Sequence, residues 1–539
     1  MIPPRISGLL RAAAAVALTL PRGANAQAPV EQPIAYVLSV AAPARHMAHV
    51  RVEIPTDGHE TLDLLLPAWT PGYYAAENHA AGVDSVTARG AGGAALPVRR
   101  TGANHWEVET RGAPVVTLSY RIRADGRGPT GDYVGDSAMV LNGRATWLTP
   151  AGYAQRDVRV SLALPPGWRS FTPLDTASDR ANDHYRASGY AELSDAPIVA
   201  GPGETVEFDV AGTTHLLADV AAPAGFSHEQ AGRSLLRLVV EVQRFWGFLP
   251  YQRYEFLNVF GPGAGGPGHL NATVLAGRAD LLDAPGRLEA WLGDAARGYF
   301  RAFDGTRLHP AEYAVMDYDT RPATPSLWVS DGLGAYYAQL LQERAGLLRQ
   351  QDFLDALSAL IARAQGDPMR RSQTLTAASL DAGTPLKPRE RRLDWTARGA
   401  VVGFLLDAHL RAATNGAKSL DDVMRLAYQR FSGTAGYSDA QFRALVSEVA
   451  GSDQTAWLAQ ALDSADELNY KEMLDWYGLR FDGGWNLAVV EPPPKAAAAA
   501  RDTAATGIPT PAQQQQHLTA LLKPDAGPAT GPAAPPSGG

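Results

Sequence analysis

Arg297 and Arg301 stand four residues apart in the stretch Leu288–Pro310, with Gly298 directly after the first and Asp331 further along the chain. Side chains at that spacing project from one side of a helix. A pair so placed, ahead of a second, acid-bearing helix, is the frame in which proteins grip a zinc ion, with histidine at both positions and a glutamate after the first. Here the letters differ. A guanidinium has five donors and no free lone pair, so it cannot ligate a cation, and two permanent cations repel a dication. Gly298 offers no carboxylate to accept a proton from bound water. Two outcomes remain open for the arginines. Asp331 could pair with one of them, assisted by Asp294 or Asp304, and plug the hole with a salt bridge. Alternatively, an arginine stays free in a cleft and binds a carboxylate such as a peptide C-terminus.

The helix that carries the pair is legible from Leu288, Trp291, Leu292, Ala295, Tyr299 and Phe303, which recur at three- and four-residue steps. Further helices are expected at Gln230–Phe245, Leu327–Ala345, Gln351–Ala364, Ala397–Ala412, Leu420–Phe431, Asp439–Val449 and Gln454–Ala461. Before them the pattern is of strands: Ile34–Val40, His49–Ile54, Thr61–Leu66, Trp106–Val108, Val115–Ile122, Ala145–Thr149, Val158–Leu164 and Val206–Val210, bounded by Pro and Gly. Tyr254–Phe260 reads as one more strand, followed by the glycine-rich loop Gly261–Gly268. The expected fold class is α+β: a β-sandwich-like domain over 27–222, a largely helical domain over 223–484 and a disordered tail over 485–539. The tail is rich in Pro, Ala and Gln and too poor in apolar residues to build a core, with at most a transient helix near Gln513–Leu522.

Residues 1–26 read as a secretory signal: Arg5, an apolar run from Leu9 to Leu20, and the small-x-small site Ala24-Asn25-Ala26. The expectation is therefore a periplasmic or secreted protein, cleaved near Ala26. Cysteine is absent, which excludes disulfides, thiolate nucleophiles and cysteine metal sites. The chain holds 48 Lys and Arg; removing Arg5, Arg11 and Arg22 with the signal leaves 45 against 56 acids, a net of −11. That balance argues against nucleic acid or an anionic membrane as partner. The string His59-Glu60-Thr61-Leu62-Asp63 is superficially metal-like, but it starts a strand, where residues four apart are over ~13 Å distant. His269 and His409 are the histidines expected to be buried in the helical domain. No Gly-x-Ser-x-Gly elbow is present, and the glycine run lacks the Gly-Lys-Ser/Thr ending of a phosphate loop.

Several islands, in order, resemble the glycyl aminopeptidase family of gluzincin metallopeptidases, whose members usually carry a C-terminal PDZ domain. They are Leu66-Pro67-Ala68-Trp69-Thr70-Pro71-Gly72, Tyr190–Ile198, Gly247-Phe248-Leu249-Pro250-Tyr251, Leu327–Gly332 with Tyr336-Tyr337, and Ser419–Met424. The resemblance implies a thermolysin-like fold for the helical domain and zinc as cofactor. It also identifies what is replaced. The ligand positions fall on Arg297, Arg301 and Asp331, and the general base falls on Gly298. The glutamate that grips a substrate amine falls on Gly268, before His269. The segment that supplies a phenol reads Trp395-Thr396-Ala397-Arg398-Gly399, without a tyrosine. Zinc is accordingly expected to be absent. His269, Arg297, Arg301, Asp331 and Arg398 are the residues expected in the degenerate cleft. The 55 residues from Trp485 to Gly539 are too few for a PDZ domain. The reading is an exported, catalytically inactive pseudopeptidase that binds peptide or a periplasmic protein. The alternative is an active metallo-aminopeptidase releasing N-terminal small residues.

Overall fold

Alternating burial explains the first half of the chain. Along Met47–Pro55 every second side chain from Ala48 to Ile54 is buried while its neighbours face out, which suits a strand covered on one face. It lies inside an eight-stranded sheet, ordered 175–176, 184–187, 158–163, 34–39, 47–55, 115–123, 83–89 and 95–96. A second sheet, ordered 149–150, 61–65, 105–109 and 98–100, packs on it. Leu62, Leu64, Trp106 and Val108 share one core with Val50, Val52 and Leu118. The third sheet runs 169–171, 198–201, 139–141 and 133–134. The structure, a computed structural model, describes residues 31–177, 182–261, 265–266, 268–277, 286–490 and 508–523. The signal segment 1–26 and most of the tail lie outside the described residues.

The strand expected at Ala145–Thr149 is replaced by a helical turn, Gly143–Thr146, and a short strand at Thr149–Pro150. Side-chain chemistry overrides local preference there. Thr146 Oγ1 donates toward the buried carboxylate of Asp132, with both oxygens at 3.0 Å, and the Asn142 backbone N–H reaches the same carboxylate at 2.8 Å.

A fourth sheet, ordered Gly203–Val210, Thr213–Val220, Arg253–Val259 and Ala272–Ala276, carries the chain across residue 222. Thr213–Val220 pairs in parallel with Arg253–Val259, so strands assigned to the first domain are continuous with the second. The long helices follow: His228–Trp246, Arg287–Arg301, Gly334–Arg344, Gln350–Gly366, Trp395–Ala413, Leu420–Phe431 and Asp439–Ala450. The two halves touch through backbone as well as side chains. The Ala68 N–H donates to the Tyr318 carbonyl at 2.8 Å, and Trp69 Nε1 to the Asp317 carbonyl at 2.7 Å. Structure also passes residue 484: Leu487–Val489 pairs with Leu479–Phe481. In the tail, Pro511–Leu522 forms the helix foreseen there. It is docked rather than transient, because Leu518, Leu521 and Leu522 are buried and His517 stacks on Trp476. Residues 491–507 and 524–539 of the expected disordered tail lie outside the described residues. Among the described residues no helix is long and apolar enough to cross a membrane.

Candidate functional site

Trp291, Leu292, Ala295 and Tyr299 bury one stripe of the helix Arg287–Arg301 in the main core. Arg301, in the last turn, is covered by the segment around Thr70–Tyr74 and is only 8% exposed. Its Nη1 donates to Asp331 Oδ1 at 2.8 Å and its Nη2 to the Tyr74 hydroxyl at 2.9 Å. The indole N–H of Trp395 donates to the other oxygen of Asp331 at 3.1 Å. Both carboxylate oxygens are thus engaged, and for Arg301 the salt-bridge outcome holds. Neither Asp294 nor Asp304 joins this bridge by a hydrogen bond among the described residues. Asp304 is fully buried, and neither of its oxygens has a hydrogen-bond partner there. Burial pushes its carboxyl well above the usual range, against the opposing influence of Arg301.

Asp331 sits on a π-helical stretch, Trp328–Leu333, which opens into the helix Gly334–Arg344; such wide turns recur at functional sites. Next to it Gly332 meets Gly399 so closely that a Cβ on Gly332 would lie 2.7 Å from the Gly399 backbone. This glycine-to-glycine crossing brings the start of the helix Trp395–Ala413 to the site, and so Trp395 to Asp331. The position where the resemblance implies a phenol is filled by an indole that holds a carboxylate.

Gly298 and Gly268 face one another. A Cβ on Gly298 would stand 2.7 Å from Thr273 Oγ1, and one on Gly268 would stand 2.9 Å from Gly298 Cα. Thr273 is held in place by the Tyr254 hydroxyl at 2.7 Å. At the position where the resemblance implies a general base, the neighbouring strand leaves no room for a Cβ.

Arg297 behaves differently from Arg301. It is exposed, makes no hydrogen bond or ion pair with a described residue, and lines two cavities of about 630 and 430 Å³. Thr396 lines the larger cavity; Gly268, Gly298 and Arg301 line the smaller. His269 is buried beside Arg301 in a recess of about 20 Å³, with Nδ1 3.6 Å from Asp195 Oδ1. Arg398 is not brought to the cleft. Its guanidinium donates to the backbone carbonyls of Arg370 and Asp466 at 3.3 and 3.0 Å, because it is buried beneath the loops that carry them. His409 is only half-buried, between Glu472 and Gln454. The fully enclosed histidine is His215, which the strand pattern concealed; burial depresses its pKa to about 4. His59 lies against Tyr153, while Asp63 pairs with His105, so the metal-like string does not assemble. Tyr74 is the site residue that sequence reasoning missed. Its only signal is its place just after the Leu66–Gly72 island.

The resemblance implies zinc, and these residues do not fit it. Two of the three ligand positions carry donors without lone pairs, and the third has both oxygens committed to Arg301 and Trp395. Among the described residues no group of three or more His, Cys, Asp or Glu is placed to hold a metal ion.

Residues 35–202 match the Peptidase M61 N-terminal domain and residues 291–402 match M61 glycyl aminopeptidase. No curated protein sequence matches the chain. Among solved structures, an aminopeptidase N family protein from Idiomarina loihiensis superposes with a TM-score of 0.78 at 23% identity, covering 83% of this chain and 78% of that one. A mutant M1 zinc metallopeptidase from Deinococcus radiodurans gives a TM-score of 0.51 at 14% identity, covering 81% and 94%. At these identities the likeness speaks for the fold alone.

Proposed function

The chain belongs to the M61 glycyl aminopeptidase family, and from that premise we propose that it is a non-catalytic member, which binds peptide or a protein partner without hydrolysing it. One observation carries this reading: Arg301 and Asp331, which fall at two zinc-ligand positions of the resemblance, are bonded to each other at 2.8 Å. Removing either group from that pair would strand the other as a buried charge. Loss of the base at Gly298, where Thr273 leaves no room for a side chain, supports the same reading. The cavities of about 430 and 630 Å³ beside Arg297 lie within the range that holds small ligands and peptide side chains, roughly 300–1,000 Å³.

We place the protein outside the cytoplasm on its signal-like first 26 residues. Mass spectrometry of the natively produced chain should find Gln27 at the N-terminus, and an intact Met1 would count against export. The catalytic question is answered by metal analysis of the purified mature protein together with hydrolysis of glycyl and alanyl amides. The expected result is substoichiometric zinc and no turnover above background. Stoichiometric zinc with turnover that a chelator abolishes would overturn the proposal.

A further inference from the structure

Arg301 is bonded to Asp331, while Arg297, four residues earlier, makes no hydrogen bond or ion pair with a described residue. We infer that Arg297 is an anion anchor in the cleft, taking the carboxylate of a bound peptide. This inference rests on the peptide-binding reading above and specifies which end of the peptide is read.

Three observations support it. First, Arg297 is unengaged: it has no hydrogen bond or ion pair with a described residue, whereas Arg301 is bonded to Asp331 and Tyr74. An arginine fork with free donors matches a carboxylate in two parallel hydrogen bonds. Second, Arg297 stands where the two cavities meet, since it and Asp294 line both. The smaller cavity runs along Val274, Leu275 and Ala276 of the terminal strand of its sheet. A strand whose outer edge is unpaired among the described residues offers backbone donors and acceptors to an extended peptide, and Arg297 lines the same cavity. Third, Gly268 presents no acid to a ligand amine, and Asp294 is the one carboxylate among the described residues lining the smaller cavity. Arg297 and Asp294 thus share this wall, and the cation is the one of the two that can hold a carboxylate.

Asp294 competes for the same guanidinium. It is solvent-accessible yet set in a concave wall. The surrounding protein pushes its carboxyl upward, and Arg297 beside it acts in the opposite direction. Removing its charge should leave Arg297 more available.

The test measures binding of fluorescent N-acetylated alanine pentapeptides to the full-length mature protein by anisotropy. One peptide has a free C-terminus, one is C-terminally amidated, and one is amidated but carries a single internal Glu. A fourth has a free amine and an amidated C-terminus. The free-carboxylate peptide should bind at least about tenfold more tightly than its amide, the scale of one charge-assisted hydrogen-bonded contact. Arg297→Gln should erase that difference, and Asp294→Asn should enlarge it several-fold. Because Arg297 is exposed and makes no hydrogen bond or ion pair with a described residue, its replacement should leave the unfolding midpoint nearly unchanged. Binding of the Glu peptide equal to that of the free-carboxylate peptide would keep the anchor but reassign it to acidic side chains. Equal affinity for acid and amide, or preference for the free amine, overturns the anchor while leaving peptide binding intact. If no peptide binds, the peptide reading of the cleft fails and the anchor fails with it.

Discussion

Gly298 and Thr273 share one volume: a Cβ placed on Gly298 would stand 2.7 Å from the Thr273 hydroxyl oxygen, well inside van der Waals contact. The strand that carries Thr273 lies against the Gly298 backbone, where the resemblance implies a base. Restoring a glutamate there requires the strand to move. Gly298→Glu should therefore destabilise the fold by about 1–3 kcal/mol, the usual penalty for overpacking a filled core. Adding Thr273→Ala should recover part of that loss, and a double-mutant cycle by urea denaturation reads the coupling. Additive effects would show that the two sites do not compete.

Reverting Arg297, Gly298 and Arg301 together to His, Glu and His should bring partial zinc binding but little hydrolysis of glycyl amides. Asp331 would regain a free oxygen, yet Trp395 still donates to the other, and no phenol stands at Trp395 or Thr396. Robust turnover from the triple change alone would contradict this.

The Arg301–Asp331 bridge is buried, with side-chain exposures of 9% and 5%. Asp331→Ala should cost roughly 3–5 kcal/mol, because it leaves a buried guanidinium with only the Tyr74 hydroxyl. Combining it with Arg301→Met should be much less harmful than Asp331→Ala alone. Denaturation midpoints of the two variants provide the comparison, and equal losses would show that the charge is not what matters.

Asp132 supplies a pH dependence of known sign. Burial pushes its carboxyl up to about 6 from an unfolded value near 3.8. The folded state holds this proton more tightly than the unfolded chain does. Its contribution to stability is thus fully present below about pH 4 and is lost as pH rises through about 6. Asp132→Asn should remove that slope, so that variant and parent diverge between pH 4 and 6, with the variant gaining on the order of 3 kcal/mol at pH 7. A difference that stays flat with pH would show that Asp132 titrates normally.

The helix Pro511–Leu522 should report as part of the fold. Leu521 is fully buried, and its carbonyl accepts a hydrogen bond from Arg344 Nε at 3.0 Å. Leu521→Ala should cost about 2 kcal/mol or more, and amide exchange across 513–522 should be slow in the parent. Exchange at unprotected rates would mean the helix is not docked.

The sequence by itself determined the class and order of elements and the absence of a lone-pair donor at Arg297 and Arg301. Period-two burial wrote the strands around Val50 and Leu118, and three-to-four spacing wrote the helix of Trp291, Leu292 and Tyr299. Those signals are local, carried by residues close together in the chain. The letters Arg297, Gly298 and Arg301 exclude metal ligation by valence alone, before any coordinates are known. What the arginines do instead was settled by residues far away in sequence. Tyr74 comes from the first domain and Trp395 from a later helix, and the Gly332–Gly399 approach brings Trp395 to Asp331. No local pattern could distinguish Arg301 from Arg297, since both share one side of one helix. The Thr70–Tyr74 segment covers only the last turn, burying and pairing the first while leaving the second free in the cleft. Such pairing depends on long-range packing, which a single chain of letters does not spell out.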